Sequence, residues 1–262
     1  VARYDTLDIA WSLSTDGGQS WQEVGTSNNE TFITLADPEC STLYRTVAYL
    51  ATGNAGEGID EEGEALDKTW GMFSSGGGPA NVQAWNEASE DYDRPLHYYL
   101  AAGTVSTSVA ALLATGDGQC GAWTLLFRDA LRANGMTVPG LIEVKPPNGY
   151  RRFGVKNIAF GTPSHPEDAP WSYVRDNLDV TAQGIPGQNT ETPAAKLFVR
   201  HYVYLLHIDD RYYDASYGVT YECEEDFTAQ AVDAWEKDVA GLGFRWSKAE
   251  DEPEPDLAVV FE

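Results

Sequence analysis

The stretch GDGQCGAW at residues 116–123 decides the fold that we predict, because it leads a cysteine directly into a helical pattern. After Cys120, apolar residues recur at the spacing of one buried helix face: Trp123, Leu126, Phe127, Ala130 and Leu131. We predict that Asp117 caps this helix and that Gly135 ends it. A thiol at a helix start meets unpaired N–H groups and the positive end of the dipole, which favour the nucleophilic thiolate. The alternative is a small buried core cysteine.

A second stretch, HYVYLLHIDDRYYDASYG at residues 201–218, predicts a β-hairpin with His201 on one strand and Asp214 on the next. A turn near residues 209–210 brings Asp214 alongside the strand that begins at His201. His207 lies on the same strand face and is an alternative base, although it is closer to the turn. Cysteine, histidine and aspartate in this order indicate a thiol enzyme, in which the carboxylate orients the imidazole. The structural alternatives are a strand histidine and a turn carboxylate.

These motifs resemble those of the transglutaminase-like superfamily, whose fold is related to that of papain. Gly118-Gln119-Cys120 matches the family's turn at a helix N-terminus. His201-Tyr202-Val203 is similar to its His-x-(Trp/Tyr)-Val strand, but the aromatic residue follows the histidine directly and the usual tryptophan is absent. Residues 214–218 match its Asp-Pro-(Ser/Thr) ending, with alanine in place of the proline. The resemblance covers about residues 100–220. It implies an α+β, papain-like core, in which a helix bearing Cys120 packs on an antiparallel sheet bearing His201 and Asp214.

The resemblance also implies acyl transfer on protein amides through a cysteinyl thioester. Cys120 would be the nucleophile, His201 the base and Asp214 the group that orients the base. An amine resolves the thioester in a crosslinking transglutaminase, which is the outcome that we expect first. Water resolves it in a cysteine protease or amidase, which is the alternative, and a non-catalytic extracellular binding module is the second alternative. The expected substrate is a protein or peptide.

The oxyanion formed during acyl transfer needs hydrogen-bond donors. The backbone N–H of Cys120 is a natural first donor. Gln119, Trp85 and Gln188 are the candidates for a second donor, and the sequence does not choose among them. Gln188 also fits a structural turn in the long loop before the His201 strand.

The 262-residue chain carries a formal net charge of −24, with 41 acidic residues against 17 lysines and arginines. Nucleic-acid binding is excluded, since it requires a basic surface. The acids are spread along the chain, which favours a solubilising surface adapted to salt, as in halophilic or marine organisms; attraction for basic substrates or Ca²⁺ is the alternative. The acid-rich segment at residues 56–64 is the candidate for Ca²⁺ binding, and the alternative is that it forms a solvated loop. No cluster has zinc spacing, so we expect no metal and no cofactor.

We predict a β-rich N-terminal region at residues 1–52 and a transglutaminase-like catalytic domain at residues 53–262. The alternation of apolar and polar residues predicts a hairpin in the N-terminal region, and two apolar runs predict further strands there. The predicted elements are a hairpin of strands 7–13 and 20–24, strands at 32–35, 43–50, 141–144, 153–160, 197–208, 211–217 and 257–261, and helices at 64–73 and 227–239.

The remaining cysteines, Cys40 and Cys223, are either two unpaired thiols or a disulfide, which would imply an oxidising compartment. The longest apolar run, residues 109–114, is far shorter than the roughly 18 residues that a membrane helix needs, so we expect no membrane insertion. The chain begins with Val1, and its acidic tail at residues 251–256 is typical of a linker. These features suit a domain of a larger extracellular protein. The resemblance implies a bacterial or archaeal member of the superfamily that is secreted or held in the cell envelope.

Overall fold

The computed structural model consists of two compact units. The first contains Val1–Met72 and Asp129–Thr137, and the second contains Phe73–Arg128 and Val138–Glu262. The sequence analysis placed a boundary after residue 52, whereas the helix that follows remains with the first unit. The structure describes residues 1–40, 42–54, 59–74, 81–98, 107–155, 159–160, 167, 170–174, 178–179, 187–189, 197–198, 200–206, 209–249 and 257–262.

Helices and short antiparallel strands are mixed along the chain, so the fold class is α+β, as predicted. The helices of the described residues are α1 (Arg45–Thr52), α2 (Glu62–Gly71), α3 (Val109–Thr115), α4 (Cys120–Ala133) and α5 (Glu224–Ala231). None of these helices is long and apolar enough to cross a membrane.

The strands are short except for the first two, which have 12 residues each. They are β1 (Ala2–Leu13), β2 (Gln22–Ile33), β3 (Gln83–Asn86), β4 (Asp91–Pro95), β5 (His97–Tyr98), β6 (Asp117–Gly118), β7 (Leu141–Lys145), β8 (Tyr150–Val155), β9 (Ala159–Phe160), β10 (Leu178–Asp179), β11 (Leu197–Phe198), β12 (His201–Leu206), β13 (Arg211–Asp214), β14 (Val219–Tyr221), β15 (Val232–Val239), β16 (Gly243–Lys248) and β17 (Val260–Phe261).

The first unit begins with the predicted hairpin, which is longer than the alternating pattern indicated. Strands β1 and β2 are antiparallel and pair Leu13 with Gln22 next to the turn. In the turn, Asp16 accepts hydrogen bonds from the N–H of Ser20 at 2.9 Å and from its hydroxyl at 2.5 Å. These bonds stabilise the carboxylate and lower the pKa of Asp16 to about 2. The turn is therefore held by its own side chains.

The strand predicted at residues 43–50 is wrong, because Arg45–Thr52 form α1. The strand predicted at residues 32–35 is the end of β2. Helix α2 joins α1 through the hydroxyl of Thr69, which donates to the carbonyl of Ala51 at 3.4 Å. A short apolar run fits a buried helix as well as a buried strand, and tertiary packing decides between them.

Helix α4 begins at Cys120, as the apolar stripe predicted. Its end is closed by Gly135, which has a φ of +71° and donates its N–H to the carbonyl of Arg132 at 2.9 Å. This left-handed glycine is the predicted stop signal. Asp117 is not the cap, because it lies in β6, three residues before the helix.

The second unit contains a five-stranded antiparallel sheet with the strand order β14-β13-β12-β7-β17. Helix α4 packs on this sheet through Phe127, whose ring centroid lies 6.2 Å from that of Tyr204 and 5.7 Å from that of Tyr213. Next to it, the hydroxyl of Thr124 donates to the carbonyl of Tyr202 at 3.1 Å. The helix that begins with the cysteine is thus fixed to the sheet that carries the predicted hairpin.

A second, four-stranded sheet has the order β11-β8-β15-β16. The final helix predicted at residues 227–239 is wrong in its second half, because α5 ends at Ala231 and Val232–Val239 form β15. Strand β15 pairs with β8 on one side and with β16 on the other. Its backbone groups therefore find partners on both sides, and this pairing outweighs the helical spacing of its apolar residues.

Candidate active site

Cys120 is the first residue of α4 and follows β6 by one residue. Strand β6 pairs in parallel with β5, so that Tyr98 lies opposite Gly118. A Cβ atom on Gly118 would lie 3.0 Å from Cδ1 of Leu112, so the chain needs glycine here to approach α3. Cys120 itself lies at the helix N-terminus with only 7% of its surface exposed. The helix dipole favours a negative charge at this position.

His201 begins β12, and Asp214 ends β13. The two strands are antiparallel and pair Tyr204 with Tyr213, which places His201 and Asp214 on one face of the sheet. The Nε2 atom of His201 lies 2.6 Å from Oδ2 of Asp214, and both side chains are fully buried. The hairpin therefore brings together the two residues that the sequence assigned as base and orienting carboxylate.

The second carboxylate oxygen of Asp214 is held by the turn that follows it. Its Oδ1 accepts hydrogen bonds from the N–H of Ser216 at 3.1 Å, from the hydroxyl of Ser216 at 2.9 Å and from the N–H of Tyr217 at 3.4 Å. Sequence analysis did not identify Ser216 or Tyr217. The signal was present, since a serine two residues after an aspartate is typical of an Asx turn.

Electrostatic interactions set the pKa of the His201 imidazole. Burial by itself lowers this pKa, because it disfavours the imidazolium. The charge of Asp214, followed by that of Cys120 and by the hydrogen bond to Asp214, outweighs burial and raises the pKa of His201 to about 10. At neutral pH the imidazolium is therefore the favoured form of the ring.

Aromatic side chains surround the imidazole. The ring centroid of Tyr217 lies 5.4 Å from that of His201, and that of Phe227 lies 6.3 Å from it. Tyr98 packs edge-on against Tyr217 with a centroid distance of 5.2 Å. These rings exclude water from the imidazole, which strengthens its interaction with Asp214.

The three candidate oxyanion donors have different positions. Gln119 lies directly before Cys120, with a half-buried side chain. Trp85 lies on β3 and packs edge-on against Tyr92 at 5.2 Å between ring centroids. Both amide hydrogens of Gln188 are used, because Nε2 donates to the carbonyls of Phe73 at 2.8 Å and Ala215 at 2.9 Å. These bonds contradict a donor role for Gln188.

Two other predictions concern residues outside the part of the chain that the structure describes. His207, the alternative base, lies outside the described residues. Residues 56–58 of the acid-rich segment proposed for Ca²⁺ also lie outside them. Within the part of the chain that is described, no group of three or more histidine, cysteine, aspartate and glutamate side chains is placed to hold a metal ion.

Cys40 and Cys223 are free thiols, so of the two alternatives that the sequence left open the disulfide is not formed. Burial, reinforced by the charge of Asp129, raises the pKa of the Cys40 thiol. Cys223 lies in the other unit, directly before α5. With both thiols free, no disulfide supports an oxidising compartment.

No model of a protein family, no curated protein and no solved structure matches the chain.

Proposed function

We propose that this chain is a thiol-dependent acyltransferase that acts on protein amides, with Cys120, His201 and Asp214 as its catalytic residues. The observation that carries the proposal is the position of the His201 imidazole, which binds Asp214 at 2.6 Å and also interacts with the sulfur of Cys120. An isolated core cysteine has no need of a buried, charged imidazole. A nucleophilic thiol does, because the imidazole accepts and later returns its proton.

We further propose that the second unit has a papain-like core of the transglutaminase-like type. Support comes from the packing of α4 on the five-stranded sheet, with the cysteine at the start of the helix and the histidine and aspartate on neighbouring strands. The order of these residues along the chain is the order in the family that the motifs resemble.

The proposed reaction has two steps. The thiolate of Cys120 attacks the carboxamide carbon of a glutamine side chain, and the C–N bond breaks as His201 transfers its proton to the departing ammonia. A primary amine then attacks the thioester carbonyl, loses a proton to His201, and releases the thiolate. The products are an isopeptide bond and ammonia. Asp214 stays ionised throughout and holds the imidazole in position.

Transfer to an amine is favoured over hydrolysis by the burial of the site. Cys120 is 7% exposed, and His201 and Asp214 are fully buried. A thioester in such surroundings meets little water, whereas an amine that binds at the site is held close to it.

The test is the incorporation of a fluorescent primary amine into a glutamine-containing protein, with ammonia release measured in parallel. Both signals are expected from the intact chain, and both are expected to disappear in Cys120→Ala. Cys40→Ala and Cys223→Ala are the matched controls, because they remove the other two free thiols and are expected to retain activity.

Other outcomes have distinct meanings. Ammonia release without amine incorporation would overturn transfer in favour of an amidase, and cleavage of the peptide chain would overturn it in favour of a protease. Activity that survives in Cys120→Ala would exclude all three thiol mechanisms. If the intact chain shows no activity and iodoacetamide reacts with Cys120 no faster than with an ordinary buried thiol, the chain is a binding module.

A further inference from the structure

Gln188 is fully buried, and all of its polar groups have partners. Its side-chain Nε2 donates to the carbonyls of Phe73 and Ala215, and Oε1 accepts the N–H of Val82 at 3.2 Å. Its backbone N–H donates to the carbonyl of Ser216 at 3.0 Å, and its carbonyl accepts the N–H of Tyr98 at 3.0 Å. One residue therefore ties together segments that lie up to 115 residues apart in the sequence.

Two of these five bonds end on the turn that carries the catalytic carboxylate. The bond to Ala215 measures 2.9 Å, and the bond to Ser216 measures 3.0 Å. These are the two residues that follow Asp214, and Ser216 itself holds Oδ1 of Asp214. A change in the position of this turn therefore changes the 2.6 Å contact between Asp214 and His201.

We propose that Gln188 is a positioning residue that fixes the turn after Asp214 and thereby sets the orientation of His201. This inference rests on the proposed function. Gln188 acts through Ala215 and Ser216, and it does not touch the reacting atoms. It replaces the oxyanion role considered for the same residue, since both of its amide hydrogens are used to hold the chain.

The neighbouring Asn189 provides a matched control. Its Nδ2 also donates to two backbone carbonyls, those of Val82 at 2.8 Å and Leu96 at 2.8 Å. Neither carbonyl belongs to the turn after Asp214. The φ of Asn189 is 50°, in the left-handed region, which aspartate tolerates nearly as well as asparagine. Gln188→Glu and Asn189→Asp thus make the same chemical change at adjacent positions, and only the first disturbs the catalytic turn.

The experiment measures alkylation of Cys120 by iodoacetamide as a function of pH, in a chain where Cys40 and Cys223 are alanine. The parent is expected to react rapidly at neutral pH, because an imidazolium beside a thiol favours the reactive thiolate. In Gln188→Glu the rise of the rate is expected to move to higher pH, and the rate at neutral pH to fall at least about 10-fold, because a misplaced catalytic group loses activity steeply. In Asn189→Asp the profile is expected to stay where it is.

Thermal unfolding distinguishes positioning from simple destabilisation. Both variants are expected to unfold at a lower temperature, because each places a carboxylate against two carbonyl oxygens. Equal pH profiles in the two folded variants would overturn the role of Gln188. If Gln188→Glu does not fold, Gln188→Met removes the hydrogen bonds without adding a charge, and its profile decides in the same way. A parent that reacts only as a free thiol would instead overturn the catalytic site itself, so the two failures are distinguishable.

Discussion

Ser216 binds Asp214 twice, through its N–H at 3.1 Å and its hydroxyl at 2.9 Å, and both donors reach Oδ1. The other oxygen, Oδ2, is therefore the one that His201 contacts. A carboxylate with both oxygens occupied is held in one orientation. Its contact with Nε2 in turn holds the imidazole of His201.

The charge of Asp214 is the first target for substitution. In Asp214→Asn an amide replaces the carboxylate, so the imidazolium loses its counter-charge, and we expect kcat for amine incorporation to fall by about 10²–10⁴. Asp209→Asn is the control in the same hairpin, because Asp209 accepts a hydrogen bond from Tyr213 and an asparagine oxygen accepts it equally. Full activity in Asp214→Asn would remove this residue from the mechanism.

The pH dependence of stability follows from His201. Its pKa is raised from 6.5 to about 10, so the folded chain holds this proton more tightly than the unfolded chain does. The resulting stabilisation is complete below pH 6.5 and is lost as the pH rises towards about 10. Urea unfolding is therefore expected to give a free energy of unfolding that declines across this window. In Asp214→Asn the decline is expected to be smaller, and an equal decline would show that His201 is not its source.

Two glycines beside Cys120 are expected to respond differently to alanine. In Gly118→Ala the new Cβ lies 3.0 Å from Cδ1 of Leu112, so the leucine must move, and we expect a loss of about 1–3 kcal/mol. In Gly121→Ala the nearest atom is on the Tyr202 ring at 3.4 Å, an ordinary contact. Because alanine favours a helix, we expect a gain of at most about 1 kcal/mol. Chemical unfolding of both variants tests the contrast, and equal effects would contradict it.

Phe127 is expected to be the largest single contributor to the packing of α4 on the sheet. Its ring is fully buried and lies 5.1 Å from that of Phe73, in addition to its contacts with Tyr204 and Tyr213. We expect Phe127→Ala to lower the free energy of unfolding by about 3–5 kcal/mol. Phe244, which is 49% exposed, is the control, and its replacement by alanine should have less than half that effect. Similar losses at both positions would contradict this packing.

The parts of the fold that could be predicted depend on short-range patterns. Helix α4 follows from one apolar stripe and one glycine, and the hairpin of β12 and β13 follows from two strands joined by a short turn. Because a hairpin fixes which residues share a face, the pairing of His201 with Asp214 could be predicted as well.

The parts that could not be predicted depend on packing between distant segments. The apolar run before Thr52 and the spacing of residues 232–239 each fit both a helix and a strand. The first became α1, and the second became β15 between two strands. Gln188 gave no local signal of its role, since Phe73 lies 115 residues from it and Ala215 lies 27 residues from it.

Helix α4 has a further consequence for how the chain can be divided. Its start, with Cys120, belongs to the second unit, whereas Asp129–Thr137 belong to the first. Each unit is formed by two separate stretches of sequence, so neither unit is continuous along the chain. A transfer of residues 1–72 alone would leave behind a piece of the unit to which they belong. A fragment of residues 1–72 therefore lacks part of its own unit, and no single cut in the chain separates one unit from the other.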